Sequence, residues 1–122
     1  MFDATELAER YIAIWNETDA DRRRKMIAEC WTEDAVYVDP MMKAEGYAEI
    51  DGLVAAVHDR FPGFRFSLVK PADRHGDNLR FSWQLGPQHQ PDMIMGTDFA
   101  LLDGDRMKTV NGFIDQLPAE AA

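Results

Sequence analysis

The feature that most constrains this chain is a carboxylate inside an apolar strand. Met93-Ile94-Met95-Gly96-Thr97-Asp98-Phe99-Ala100-Leu101-Leu102 has the length and composition of a β-strand, with Asp98 in its second half. Alternate residues of a strand face opposite ways. Asp98 shares its face with Ile94, Gly96, Ala100 and Leu102, and the other face carries Met93, Met95, Thr97, Phe99 and Leu101. Both faces are nearly apolar, so neither gives Asp98 a route to water. A carboxylate there must find partners or take up a proton. One outcome is a structural Asp bonded to backbone or to an arginine. The other is an acid lining a pocket, catalytic or orienting a ligand, since such costs are tolerated most readily at functional sites.

The rest of the pattern places this strand in a mixed domain. Asp3 and Glu6 make a capping box for a first helix, and Leu7, Tyr11, Ile14 and Trp15 recur at helical spacing on its buried face. A second, shorter helix is predicted from about Asp21 to Cys30, with Met26, Ile27 and Cys30 inward. Ala35-Val36-Tyr37-Val38-Asp39 follows as a short strand, stopped by Pro40. After a loop with Met41 and Met42, Ile50, Leu53, Val54 and Val57 define a third helix, which ends at Phe61-Pro62-Gly63. From Phe64 onward the period is two. Phe64, Phe66 and Leu68 alternate with polar residues, Gly76-Asp77-Asn78 makes a turn, and Leu79, Phe81, Trp83 and Leu85 alternate again until Gly86-Pro87. The Asp98 strand comes next, then an Asp103-Gly104 turn and a strand from Met107 to about Asp115.

Helices segregated from a mostly antiparallel sheet mean an α+β fold. The expected form is a cone: a strongly curved sheet wrapped around three helices from the N-terminal half, with an apolar interior. Gly86, Gly96 and Gly112 would relieve crowding where the sheet bends. A length of 122 residues suits one domain with one core, expected over residues 1–117, followed by a loosely held tail at 118–122.

Charge and cysteine content exclude several function classes. A net charge of −9 disfavours nucleic acid and anionic membranes, which need a basic footprint. The one basic run, Arg22-Arg23-Arg24-Lys25, lies among Asp19, Asp21 and Glu29 and reads as a solvated helix face. Cys30 is the only cysteine, so an intrachain disulfide and a cysteine zinc site are excluded, and its expected role is a buried small hydrophobe. The first residues have neither a basic start nor an apolar core of a leader, and no apolar run approaches the roughly 20 residues of a membrane span. The cytoplasm is the expected compartment.

The element order resembles that of the nuclear-transport-factor-2-like domains, the cone fold of ketosteroid isomerases and SnoaL-like polyketide cyclases. Three segments carry the closer resemblance to ketosteroid isomerase: Arg10-Tyr11-Ile12-Ala13-Ile14-Trp15-Asn16, Asp34-Ala35-Val36-Tyr37-Val38-Asp39-Pro40, and Thr97-Asp98-Phe99. The resemblance implies a tyrosine at Tyr11 that donates to a substrate oxygen. It implies a proton-shuttling base at Asp39, which is directly followed by Pro40. It implies a protonated oxyanion-hole acid at Asp98. Ketosteroid isomerase is the standard example of a carboxylic acid kept neutral by apolar surroundings, and that logic is borrowed here. Extra residues between Tyr11 and Asp39 and the basic start of the second helix depart from the pattern. The resemblance also implies that a twofold partner covers the outer sheet face, making a homodimer.

The residue types agree with acid–base chemistry that needs no cofactor. Asp39, at a strand end, can be an ionised base with access to substrate. Tyr11 and a protonated Asp98 are donors for a developing enolate in a dry site. The expected ligand is a small apolar carbonyl compound, and the reaction isomerase-like or cyclase-like. Each residue also has a plainer role: Tyr11 as a core tyrosine with its hydroxyl at the rim, Asp39 as a turn residue capping the positions after Pro40. Two other functions share the fold. One is a non-catalytic ligand-binding or dimerisation module. The other is water activation as in limonene epoxide hydrolases, where an Arg precedes the central Asp by two residues; that place is Gly96 here. His58 beside Asp59 is expected to be exposed, His75 to adjoin a turn at the surface and His89 to lie in a loop; no two histidines have metal-ligand spacing. Trp15, Trp31, Tyr37, Phe81 and Trp83 are expected in the core, some of them at the pocket, and Asn111 is a candidate for orienting a ligand. If Ile94, Phe99, Ala100, Ile14 and Trp15 enclose Asp98, its pKa rises above the roughly 3.9 of a free Asp.

Overall fold

The computed structural model describes residues 2–119. The chain runs α1 (Ala4–Asn16), α2 (Ala20–Cys30), β1 (Trp31–Val38), β2 (Lys43–Glu45), α3 (Gly46–Arg60), β3 (Arg65–Leu68), β4 (Asp73–His75), β5 (Asn78–Gly86), β6 (Ile94–Asp103) and β7 (Arg106–Gln116). The Asp3–Glu6 capping box is formed in both directions and starts α1. The Asp19 side chain caps α2 by accepting from the N–H groups of Asp21 and Arg22. Leu7, Tyr11, Ile14 and Trp15 are all buried, so the helical spacing of the first element marks its inner face.

The seven strands form one sheet, in the order β2-β1-β7-β6-β5-β3, with β4 paired beside β3 along β5. All pairs are antiparallel except β1 with β7. The path ends in β2 on one side and β3 on the other, so the curled sheet stays open as a cone rather than a closed barrel. The three helices pack against its concave side, and their apolar residues join those of β1, β5, β6 and β7 in one core. Burial along β6 alternates strictly: Ile94, Gly96, Asp98, Ala100 and Leu102 are inside. Of the tail expected from residue 118, residues 120–122 lie outside the described residues.

Two glycines of the curved sheet have no room for a side chain. A Cβ on Gly96 would lie 2.2 Å from the indole of Trp83, and one on Gly86 would lie 2.0 Å from the Gln90 carbonyl oxygen. These are close approaches, the second use of glycine in strands.

Several elements differ from the sequence expectation, each for a local reason. β1 begins at Trp31, four residues before Ala35. Its register against β7 shifts between Trp31 and Val36, and Glu33 and Asp34 are both exposed there, so period two is lost until Ala35. β2 and β4 have three residues each, and every residue of β4 is exposed. Such edges carry no apolar alternation to read. The basic run is not a uniformly solvated face. Arg22, Arg24 and Lys25 are exposed, but Arg23 is 4% exposed. Its guanidinium donates to Asp51 on α3 at 2.6 Å and to the Glu17 carbonyl at 2.8 Å. Cys30 is buried as expected, and burial pushes its thiol up to about 12.

Removing one partner of a buried ion pair leaves the other unpaired. Arg23→Ala is expected to destabilise the fold by about 2–3 kcal/mol, because Asp51 keeps some contact with water. Arg22→Ala should stay within about 0.5 kcal/mol. Urea unfolding of the two variants checks this, and equal losses would return Arg23 to the solvated face.

Candidate active site

A cavity of about 330 Å³ opens between α1, the end of α3 and the concave sheet face. Tyr11, Asp39 and Asp98 all line it, with Tyr37 and Trp83 between them and Met41, Met42, Arg60 and Phe61 among the other lining residues. Tyr11 arrives from the buried face of α1, Asp39 from the position just after β1, and Asp98 from the middle of β6.

Asp98 is 2% exposed and its carboxyl is held by two donors. The Tyr11 hydroxyl donates to Oδ2 at 3.2 Å and the Trp83 indole N–H donates to Oδ1 at 2.9 Å. Burial raises the Asp98 pKa to about 7; the two hydrogen bonds pull it down, and the charges of Asp39 and Asp115 push it up. The enclosure differs from the expectation in one member: Phe99 is 43% exposed on the outer face and shields nothing. Burial and the neighbouring Asp98 charge hold the Tyr11 hydroxyl well above the ordinary tyrosine value, so it stays a donor. Burial likewise raises Tyr37.

Asp39 is half-buried, and both of its carboxyl oxygens accept hydrogen bonds. Its Oδ1 accepts from the backbone N–H groups of Met41 and Met42, each at 2.8 Å, which is a turn cap. Its Oδ2 faces the Tyr37 hydroxyl, which donates at 2.6 Å. Asp98 pairs with Gly112 in register, and a Cβ on Gly112 would lie 3.0 Å from Asp98 Oδ1, 3.2 Å from Asp39 Cβ and 3.3 Å from the Tyr37 hydroxyl. Asp39, just past the end of β1, Gly112 on β7 and Asp98 on β6 therefore lie side by side. The missing side chain at Gly112 leaves space between the two carboxyl-bearing positions.

The sequence placed Trp83 and Tyr37 in the core with some of the aromatics at the pocket, as they are, but did not reveal their hydrogen bonds to the two carboxyls. An indole in an alternating apolar strand looks like packing. The available signal was Gly96, whose glycine in an otherwise apolar strand marks a close neighbour. Asn111 is exposed on the outer face and cannot orient a ligand in this cavity. His58 is half-buried, not exposed, with Nε2 2.7 Å from the Trp15 carbonyl oxygen. His75 is exposed in β4 and His89 lies in the loop after β5.

Residues 8–109 match the model of the SnoaL-like domain family. The chain belongs to that family. It is 40% identical to a candidate isomerase of the SnoaL-like family from Agrobacterium tumefaciens, over 92% of this chain and 97% of that one, with a TM-score of 0.87. A protein of ketosteroid isomerase-like fold from Catenulispora acidiphila is 17% identical over 90% of this chain and 85% of that one, with a TM-score of 0.73. A candidate polyketide cyclase from Sinorhizobium meliloti is 14% identical over 91% and 99%, with a TM-score of 0.70. The last two likenesses establish the fold alone, the nuclear-transport-factor-2-like cone. No curated protein matches the chain in sequence.

The raised pKa of Asp98 has a stability consequence. The folded state prefers the protonated acid. Stability from this group is therefore present below the unfolded value of roughly 3.9, is lost as pH rises, and levels off above the folded value of about 7. Asp98→Asn keeps the shape without the charge. It should match wild type near pH 4 and exceed it at pH 8 by about 1–3 kcal/mol. Unfolding curves of both proteins across this range check the sign. Loss of stability at pH 8 that disappears in acid would mean that Asp98 is ionised and needed as an anion.

Proposed function

We propose that this chain is a cofactor-free acid–base enzyme acting on a small apolar carbonyl compound, as an isomerase or a polyketide cyclase does. Asp39 removes a proton from the carbon next to the carbonyl, and the C–H electron pair moves into the enolate. Tyr11 and neutral Asp98 donate hydrogen bonds to the oxygen where charge develops. Asp39 then returns the proton at another carbon, or the enolate carbon attacks a second carbonyl of the same molecule, whose π electrons move to its oxygen, and Asp39 gives the proton to that oxygen.

The observation that carries the reading is that two carboxyls of different burial line one apolar cavity. Asp98 is buried, and burial pushes its pKa up to about 7, toward the neutral acid. Asp39, half-buried and held by three donors, has one oxygen on the Tyr37 hydroxyl and lines the same cavity. A buried acid pushed toward its neutral form, sharing a cavity with a more open carboxyl, is an arrangement that suits acid and base roles. Epoxide-type water activation is disfavoured at its own position, because Gly96 lies under Trp83 with no room for an arginine.

The test separates turnover from binding. Exchange of α-hydrogens of apolar cyclic ketones with deuterated water, read by NMR, reports proton abstraction without requiring the natural substrate. Asp39→Asn should lower the exchange rate by about 10²–10⁴-fold while leaving ketone affinity, read by tryptophan fluorescence, within a few-fold. Unchanged exchange would leave only a binding module.

The same reading includes a twofold partner. Phe99 is 43%, Leu101 40% and Phe113 55% exposed on the convex face of β6 and β7, and the rings of Phe99 and Phe113 meet edge-on at 5.6 Å. A patch of this kind is uncommon on a monomer. Light scattering should give twice the chain mass, and Phe113→Glu should give the monomer. A monomeric wild type at high concentration would remove the dimer from the proposal. A cytoplasmic setting also belongs to it; among the described residues no helix is long and apolar enough to cross a membrane.

A further inference from the structure

Trp83 stands opposite Gly96 in the β5–β6 register. Its indole lies across that glycine, 2.2 Å from the place a Cβ would take, with the Phe113 carbonyl oxygen 2.6 Å from the same place. Only a hydrogen at position 96 lets the ring lie down. Lying down, it brings Nε1 to 2.9 Å from Asp98 Oδ1, away from water. Phe66 closes on the indole edge-on at 5.4 Å and keeps it there. An indole N–H donates and cannot accept, whereas a tyrosine hydroxyl does either. The carbonyl-type oxygen of a carboxylic acid is also a better acceptor than its hydroxyl oxygen. A permanent donor at Oδ1 therefore favours the proton on Oδ2, and Oδ2 is the atom 3.2 Å from the Tyr11 hydroxyl.

We propose that Trp83 is the positioning residue of Asp98: its N–H keeps Oδ1 as the acceptor, so the acidic hydrogen sits on Oδ2, beside the Tyr11 hydroxyl. Gly96 is the second half of the device, since any side chain there would lift the indole. The proposal rests on the reading of Asp98 as a proton-bearing donor. The groups around Asp98 are Tyr11 from α1, Tyr37 from β1, Asp39 after it, Trp83 from β5 and Asp115 from β7. The two aspartates oppose ionisation of Asp98, and the Trp83 and Tyr11 donors favour it. Loss of the indole N–H thus moves Asp98 toward its neutral form.

The experiment is a carboxyl ¹³C and indole ¹H–¹⁵N NMR titration of the full chain, with Asp98 assigned by its loss in Asp98→Asn. In wild type, the Asp98 carboxyl should titrate near neutrality, and the Trp83 indole N–H should follow with the same midpoint. Trp83→Phe should raise the Asp98 midpoint by about one pH unit. In Asp98→Asn the indole signal should stop titrating and stay hydrogen-bonded, with the amide oxygen in the place of Oδ1. A carboxyl that stays ionised between about pH 5 and pH 8 would overturn the acid–base reading and this proposal with it. A carboxyl that titrates while the indole stays silent, or a midpoint unmoved in Trp83→Phe, would overturn the positioning role alone. If Trp83→Phe fails to fold, the wild-type indole signal decides.

Discussion

The carboxyl of Asp98 is almost wholly withdrawn from bulk water, and the interior of the cone supplies in its place what water would have given. One donor comes from α1 and one from β5, so a single side chain ties a helix and a neighbouring strand to β6. That requirement reaches back to the first turn. The Asp3–Glu6 box starts α1 two turns before Tyr11, and the buried face of Leu7, Tyr11, Ile14 and Trp15 sets its phase against the sheet. A helix out of phase by one residue would turn Tyr11 by about 100° and leave a buried carboxyl short of a partner. Local capping and interior chemistry act on the same helix here.

The small residues obey the same demand. Gly96 is what an indole needs in order to lie flat, and Gly112 is what two carboxyl-bearing positions need in order to share a space. Neither glycine has a positive φ, so close approach rather than backbone freedom explains both. The surrounding walls are aromatic, with Tyr11, Trp15, Tyr37, Phe66 and Trp83 in mutual contact at ring separations of 5.4 to 6.2 Å. A rigid apolar lining of this kind keeps the local dielectric low, so the few polar atoms inside act strongly on each other.

How much of this was legible follows from what a periodic pattern can carry. The alternation in β6 gave the strand and the neighbours that share a face with Asp98, but both faces are nearly apolar, so the inward direction came from the resemblance and is seen in the burial of that face along its whole length. Helical spacing gave both the helix and the inward direction of Tyr11, and the Asp39-Pro40 pair marked a strand end. Those positions meet in one cavity as their inward faces required. Trp83 and Tyr37 were placed inside without their hydrogen bonds, since alternation reports burial and not bonding. Arg23 was misplaced because a basic run hides which member turns inward, and only Asp51, on another helix, decides it. β2 and β4 were invisible because short edge strands bury too little to need a pattern.

The support of Asp39 separates two things that most sites entangle. Met41 and Met42 hold the carboxylate through their backbone N–H groups, while their side chains line the cavity beside it. The bonds to Oδ1 come with the turn, whatever residue occupies it, except proline. The wall those residues present to a ligand is free to change. A lineage of this chain can therefore reshape the cavity wall at positions 41 and 42 by single substitutions, with the hydrogen bonds to the Asp39 carboxyl carried through unaltered.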